Sequence, residues 1–139
     1  MRVFLDTNVL VSAFATRGLC ADLLRHVLAE HELVASEVVL EETRRVLRKK
    51  LGLPESRIRE IDSLLRQYCV ESGPVTLPRV EIRDRADALV LGSALAVQAE
   101  VLVTGDKDLL EIRRQVSALD IVDPRTLWNL IRQKNPGSR

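Results

Sequence analysis

Val3-Phe4-Leu5-Asp6-Thr7-Asn8 and Val101-Leu102-Val103-Thr104-Gly105-Asp106-Lys107-Asp108 share one pattern: an apolar triplet followed at once by polar and acidic residues. A short continuous apolar run bounded by polar residues is the signature of a strand buried on both faces of a parallel sheet. In open α/β sheets, ligands bind beyond the carboxyl ends of such strands. The two stretches therefore bring carboxylates to one edge. Clustered carboxylates repel unless a cation lies between them. An all-oxygen cluster of this kind suits a hard ion, Mg²⁺ or Mn²⁺.

Working outward, strands are predicted over Arg2–Leu5, Leu33–Ala35, Val101–Thr104 and Leu119–Val122, with a short extended piece near Val75–Leu77 between Pro74 and Pro78. Helical patterns lie between them over Val9–Ala15, Ala21–Ala29, Glu37–Leu51, Glu55–Val70 and Ala86–Ala99, and from Pro124 to about Arg132. Ser36 and Asp123 are placed to cap helices, and Pro54 suits a first turn. Ile58, Ile61, Leu65 and Tyr68 form an amphipathic stripe. The Ala86–Ala99 segment is apolar almost all round and is expected to be central. Strands alternating with helices argue for an α/β domain with a mainly parallel sheet. One domain over residues 1–139 is expected, with the tail from 134 to 139 fraying.

Composition narrows the function. The chain has 139 residues, 46% hydrophobic and 29% charged, a globular balance. Aromatic residues are only 3%, too few for base-stacking platforms. The formal net charge of +1 means that any basic surface is local. Cys20 and Cys69 lack metal or redox spacing and read as small buried residues of a reduced, cytoplasmic protein. No leader pattern and no membrane-length apolar run is seen. There is no phosphate-binding glycine loop and no Ser/His/Asp order. His26 and His31 read as solvated residues near a helix end.

Two further acids extend the constellation. Asp84-Arg85-Ala86-Asp87 opens the buried helix, so one aspartate is its cap and Asp87 lies on an otherwise buried face. At 100° per residue, Val39, Leu40, Thr43, Val46 and Leu47 share one face of the Glu37–Leu51 helix. Glu42 borders that face. Glu41 falls opposite, where an i,i+4 pair with Arg45 is expected. Asp6, Asp106 and Asp108 each also read as ordinary helix-start residues, with the cap and the dipole as the reason. Asn8 reads as an orienting side chain or a turn residue. Arg17, Lys107, Arg113 and Arg114 are candidate phosphate partners. Arg44-Arg45-x-x-Arg48-Lys49-Lys50 is the densest basic run, equally readable as a solvated face paired with glutamates.

The ordered set FLDTNVL, SEVVLEE, DRADALVLGSAL and VTGDKDL resembles the PIN-domain family of metal-dependent ribonucleases, and within it the VapC-like toxins of toxin–antitoxin pairs. The resemblance spans Val3 to about Trp128. It implies a three-layer α/β/α sandwich with a parallel sheet of about five strands. It also implies a catalytic and metal-binding quartet of Asp6, Glu42, Asp87 and Asp106, with Asp108 auxiliary and Asn8, Thr104 and Asp84 supporting. Further implications are an RNA substrate, a protein antitoxin and a homodimer. Two other readings compete: a phosphoacceptor receiver-like signalling module, and a PIN-like scaffold used only for protein interaction.

Overall fold

The computed structural model describes residues 1–71, 78 and 80–134, without the side chains of Cys69 and Lys134. The element order is β1 (Arg2–Leu5), α1 (Thr7–Ala15), α2 (Leu19–Glu30), β2 (Glu32–Ser36), α3 (Glu37–Lys49), α4 (Glu55–Leu65), β3 (Cys69–Glu71), α5 (Arg85–Ala96), β4 (Val101–Val103), α6 (Lys107–Glu111), a 3₁₀ turn (Arg113–Gln115), β5 (Asp120–Val122) and α7 (Pro124–Lys134). The five strands form one parallel sheet in the order β3-β2-β1-β4-β5. Helices cover it to give the α/β/α sandwich expected. A receiver-like domain is excluded by this order, because receiver sheets run β2-β1-β3-β4-β5.

The core explains the sequence pattern. Phe4, Leu33, Val34, Leu102 and Val103 are at most 1% exposed, as befits strands covered on both faces. Each fully buried aliphatic side chain contributes roughly 1.5–3 kcal/mol relative to exposure. Among the helices, α1 packs on α2 and α3, α3 on α4 and α5, and α2 on α7. Ser36 caps α3 through a 3.3 Å bond from the Val39 N–H. Asp123 caps α7 through a 2.7 Å bond from the Thr126 N–H. Among the described residues, no helix is long and apolar enough to cross a membrane.

The structure corrects several expectations. The helix predicted to run to Val70 ends at Leu65, and Cys69–Glu71 forms β3. Val70 lies in register with Ala35 of β2, so ladder bonds on the sheet edge outweigh the helical stripe that included Tyr68. The extended piece expected at 75–77 lies outside the described residues. So does the tail beyond Lys134, while α7 itself reaches Lys134. Cys20 is half-buried and free. His26 and His31 are half-buried instead of solvated. Their ring centroids are 5.3 Å apart, and His26 meets Trp128 edge-on at 6.2 Å.

Candidate functional site

The chain builds β1, β2 and β3 outward on one side, then returns to lay β4 on the other side of β1. The order reverses between β1 and β4, which makes their carboxyl ends the switch point of the sheet. Leu5 is in register with Val103, and the Asp6 N–H extends the ladder by donating to the Val103 carbonyl at 2.9 Å. Asp6 and Thr104 are therefore neighbours because of strand register alone. Both are buried, at 7% and 0% exposure.

Thr104 ties the two strand ends together. Its hydroxyl donates to Asp6 Oδ2 at 2.7 Å and accepts from the Asp106 N–H at 3.0 Å. The other Asp6 oxygen caps α1, accepting from the Thr7 N–H at 2.7 Å. Asp106 Oδ1 caps α6, accepting from the N–H groups of Asp108 and Leu109 at 2.8 and 3.3 Å. The capping and clustering readings of these aspartates are compatible: at Asp106 the cap uses one oxygen only, while at Asp6 one oxygen takes the cap and the other the Thr104 hydroxyl. Across the gap, the Gly105 N–H lies 3.5 Å from Asn8 Oδ1. A Cβ at Gly105 would lie 3.4 Å from the Asn8 amide, an ordinary contact, so the two segments are neighbours without being tightly packed.

The Asp84–Asp87 pair divides cleanly. Asp84 is the cap of α5, accepting from the Ala86 N–H at 2.7 Å. Asp87 lies one turn in, 8% exposed, and its Oδ2 has no hydrogen-bond partner among the described residues. An unpaired buried carboxylate oxygen is costly. Oxygens of Asp87, Asp106 and Asp108 lie within 4.8 Å of one another. The acids strain one another accordingly. Burial, then the charges of Asp106 and Asp84, push the Asp87 carboxyl up to about 7. Burial likewise raises Asp6, against the lowering effect of its bonds from Thr104 and Thr7, with Asp106 and Glu42 adding repulsion. The donor set, oxygen only and electrostatically frustrated, fits a hard divalent cation.

Glu42 is half-buried on α3 and Glu41 is exposed, in keeping with the helical phase, but Glu41, expected to face away, lines the same cleft as Glu42. Asp6, Glu42, Asp87 and Asp106 line a single cleft of about 810 Å³. Glu42 is close enough to Asp6 to repel it, yet neither Asp6 nor Glu42 is within the tight group of Asp87, Asp106 and Asp108. The expected pairing of Arg45 is corrected: its guanidinium binds Glu42, one turn back, and not Glu41. The two candidates Arg113 and Arg114 are displaced from the acids. They line a separate groove beside β5, with Asp120 and Leu130. Of the basic run on α3, Arg45 and Lys50 line the acidic cleft.

Comparison with known proteins agrees with this fold. The PIN domain family matches residues 2–108. Among solved structures, VapBC2 from Rickettsia felis bound to a promoter DNA fragment superposes with a TM-score of 0.60 at 18% identity, covering 87% of this chain and 97% of that one. A toxin–antitoxin complex from Klebsiella pneumoniae gives 0.59 at 20% identity, covering 88% and 97%. VapC20 from Mycobacterium tuberculosis, a sarcin–ricin loop cleaving toxin, gives 0.54 at 17% identity, covering 78% and 93%. No curated protein matches the sequence. With the family matched over residues 2–108 and the parallel sheet in place, the chain belongs to the PIN-domain family.

Proposed function

We propose that this protein is a metal-dependent endoribonuclease, the toxin of a toxin–antitoxin pair. The observation that carries the reading is the partnerless, buried Asp87 Oδ2 beside Asp106 and Asp108 at the switch point. Such an oxygen is accounted for by a cation. Asp6, Glu42, Asp87 and Asp106, with Asp108, would hold Mg²⁺ or Mn²⁺. When bound, a divalent cation lowers the pKa of a water and neutralises charge on a phosphodiester.

The chain's own residues do the rest. Thr104 holds Asp6 and the Asp106 backbone in one orientation, so the carboxylates are positioned before substrate arrives. Asp84 takes the capping duty of α5, which leaves Asp87 free. Burial and neighbouring carboxylates raise both Asp6 and Asp87 above the usual carboxylate range, and in its ionised form either could accept the proton released by an attacking water. Asn8, at the mouth of the cleft beside Gly105, is a candidate for contact with the substrate.

Partners follow from the same reading. An antitoxin would neutralise the cleft by folding on binding, in keeping with the toxin–antitoxin complex that this fold resembles. A homodimer in the cytoplasm is proposed, with exposed parts of α3 and α4 available for self-contact. Purified protein incubated with RNA should cut internally with Mn²⁺ or Mg²⁺ and not with EDTA, and Asp6→Asn should abolish cutting. Cleavage unaffected by both EDTA and Asp6→Asn would remove the metal site from the reaction. Absence of cleavage under every condition would favour the interaction scaffold.

A further inference from the structure

The basic run of α3 is divided by the fold. Arg44 binds Asp62 of α4 at 2.9 Å, and Arg48 binds Glu55 at the start of α4. Both guanidinium groups serve the α3–α4 hairpin. Arg45 and Lys50 instead line the acidic cleft, and they are the only cations among its described lining residues. Lys50 is exposed, is the C-cap of α3, and has no side-chain partner among the described residues. Arg45 is bonded to Glu42, in a pair whose side chains are 58% and 41% exposed, with Glu41 adding a weaker attraction.

An exposed i,i+3 pair of this kind is held weakly, because solvent and salt screen the two charges. It aims the guanidinium into the cleft at little cost to its release. Phosphate offers Arg a bidentate partner, a stronger one than a solvated single contact. Five residues of helix separate Arg45 from Lys50, an axial rise of about 7.5 Å. Both line the cleft, so they place positive charge on its α3 wall, beyond Glu42 along the chain. Val46 and Leu51, the latter 45% exposed, add apolar surface to the same cleft.

Resting on the ribonuclease reading, the geometry points to Arg45 and Lys50 as the rail that binds backbone phosphates of a single-stranded RNA next to the bond cut. Arg45 exchanges Glu42 for a phosphate when RNA enters. Glu42 is thereby freed for the metal centre, which couples substrate entry to completion of the acid set.

The test uses the full chain carrying Asp6→Asn, so that RNA is bound and not cut. Binding of a mixed-sequence single-stranded RNA is measured by fluorescence anisotropy across a KCl series with Mn²⁺. The slope of log affinity against log salt should fall by ~0.7 for Arg45→Gln, by the same for Lys50→Gln, and by ~1.4 for the double variant. Arg48→Gln, outside the cleft, should leave the slope unchanged, and Arg45→Lys should restore it. Unchanged slopes in the double variant overturn the rail even if RNA is bound and wild-type protein cuts it. Absence of RNA binding by the parent, at every salt, sinks the ribonuclease reading and the rail with it. In the cleaving wild-type background, Lys50→Gln should raise KM with kcat unchanged. A fall in kcat alone would place Lys50 at the reacting phosphate and overturn its role as a rail.

Discussion

Thr104 and Asp6 stand 98 residues apart in sequence, yet the Thr104 hydroxyl donates to the Asp6 carboxylate at 2.7 Å in a fully buried contact. The same hydroxyl accepts from the Asp106 N–H. One side chain thus sets the spacing of two of the acids. Thr104→Val keeps the shape and removes both bonds. It should cost ~1–3 kcal/mol by leaving buried polar groups unsatisfied, read as a lower Tm. Thr104→Ser keeps the hydroxyl and should retain most of the stability. If Val and Ser melt alike, the hydroxyl does not organise the site.

Asp84 and Asp87 should separate under mutation. Asp84→Ala removes a helix cap and should cost ~1 kcal/mol, while the rise in Tm on adding Mn²⁺ persists. Asp87→Asn removes a buried charge crowded by Asp106, Asp84 and Asp6. It should stabilise the metal-free protein at pH 8 by roughly 1–3 kcal/mol and abolish the Mn²⁺ effect. Thermal melts of both variants with Mn²⁺ and with EDTA check this. An Asp87→Asn protein that still gains stability from Mn²⁺ would move the metal elsewhere.

The same acids set a pH dependence. Asp87 is raised from the ordinary 3.8 to about 7, so the folded chain keeps a proton that the unfolded chain releases. Stability then falls as pH rises across the window from about 4 to 7, since the native state binds more protons there. Asp6, shifted upward as well, acts in the same direction. Metal binding needs the ionised carboxylates, so Mn²⁺ should stabilise more strongly as pH rises through this window. Urea melts at pH 5, 6, 7 and 8 in EDTA should show the decline, and Mn²⁺ should flatten or invert it. A metal-free protein that gains stability up to pH 8 would contradict the frustrated cluster.

Glu41 and Glu42 differ only in helical phase. Glu42 is half-buried and repels Asp6, whereas Glu41 is exposed. Glu42→Gln should lose RNA cleavage at saturating Mn²⁺ with unchanged circular dichroism, and Glu41→Gln should cleave like wild type. Both residues line the cleft, so a reversed result would assign the metal ligand to Glu41.

Much of the architecture was legible in the residues. Apolar triplets ending in aspartate marked β1 and β4 because a strand covered on both faces must be apolar throughout. The caps Ser36 and Asp123 were readable because side-chain oxygens satisfy helix N–H groups locally. The phase of Glu42 followed from 100° per residue. What failed was decided by partners far away in sequence. The amphipathic stripe through Tyr68 was a sound local pattern, but pairing of Val70 with Ala35 took those residues into the sheet. Arg45 had two glutamates within reach along its helix, and the rotamers of the cleft chose Glu42. Arg113 and Arg114 were close to the acids in sequence, and the turn before β5 carried them to another groove.

By itself, then, the sequence determined four of the five strands, which helices are amphipathic, and that acids sit at strand ends, since these follow from periodicity and local hydrogen bonding. Tertiary structure alone decided that Thr104 meets Asp6, that Asp84 caps while Asp87 is left unpaired, and that only Arg45 and Lys50 of a five-cation run enter the cleft. The reason is physical. Strand order and register place groups about a hundred residues apart at bonding distance, and no local pattern encodes which neighbour a free carboxylate or guanidinium will find.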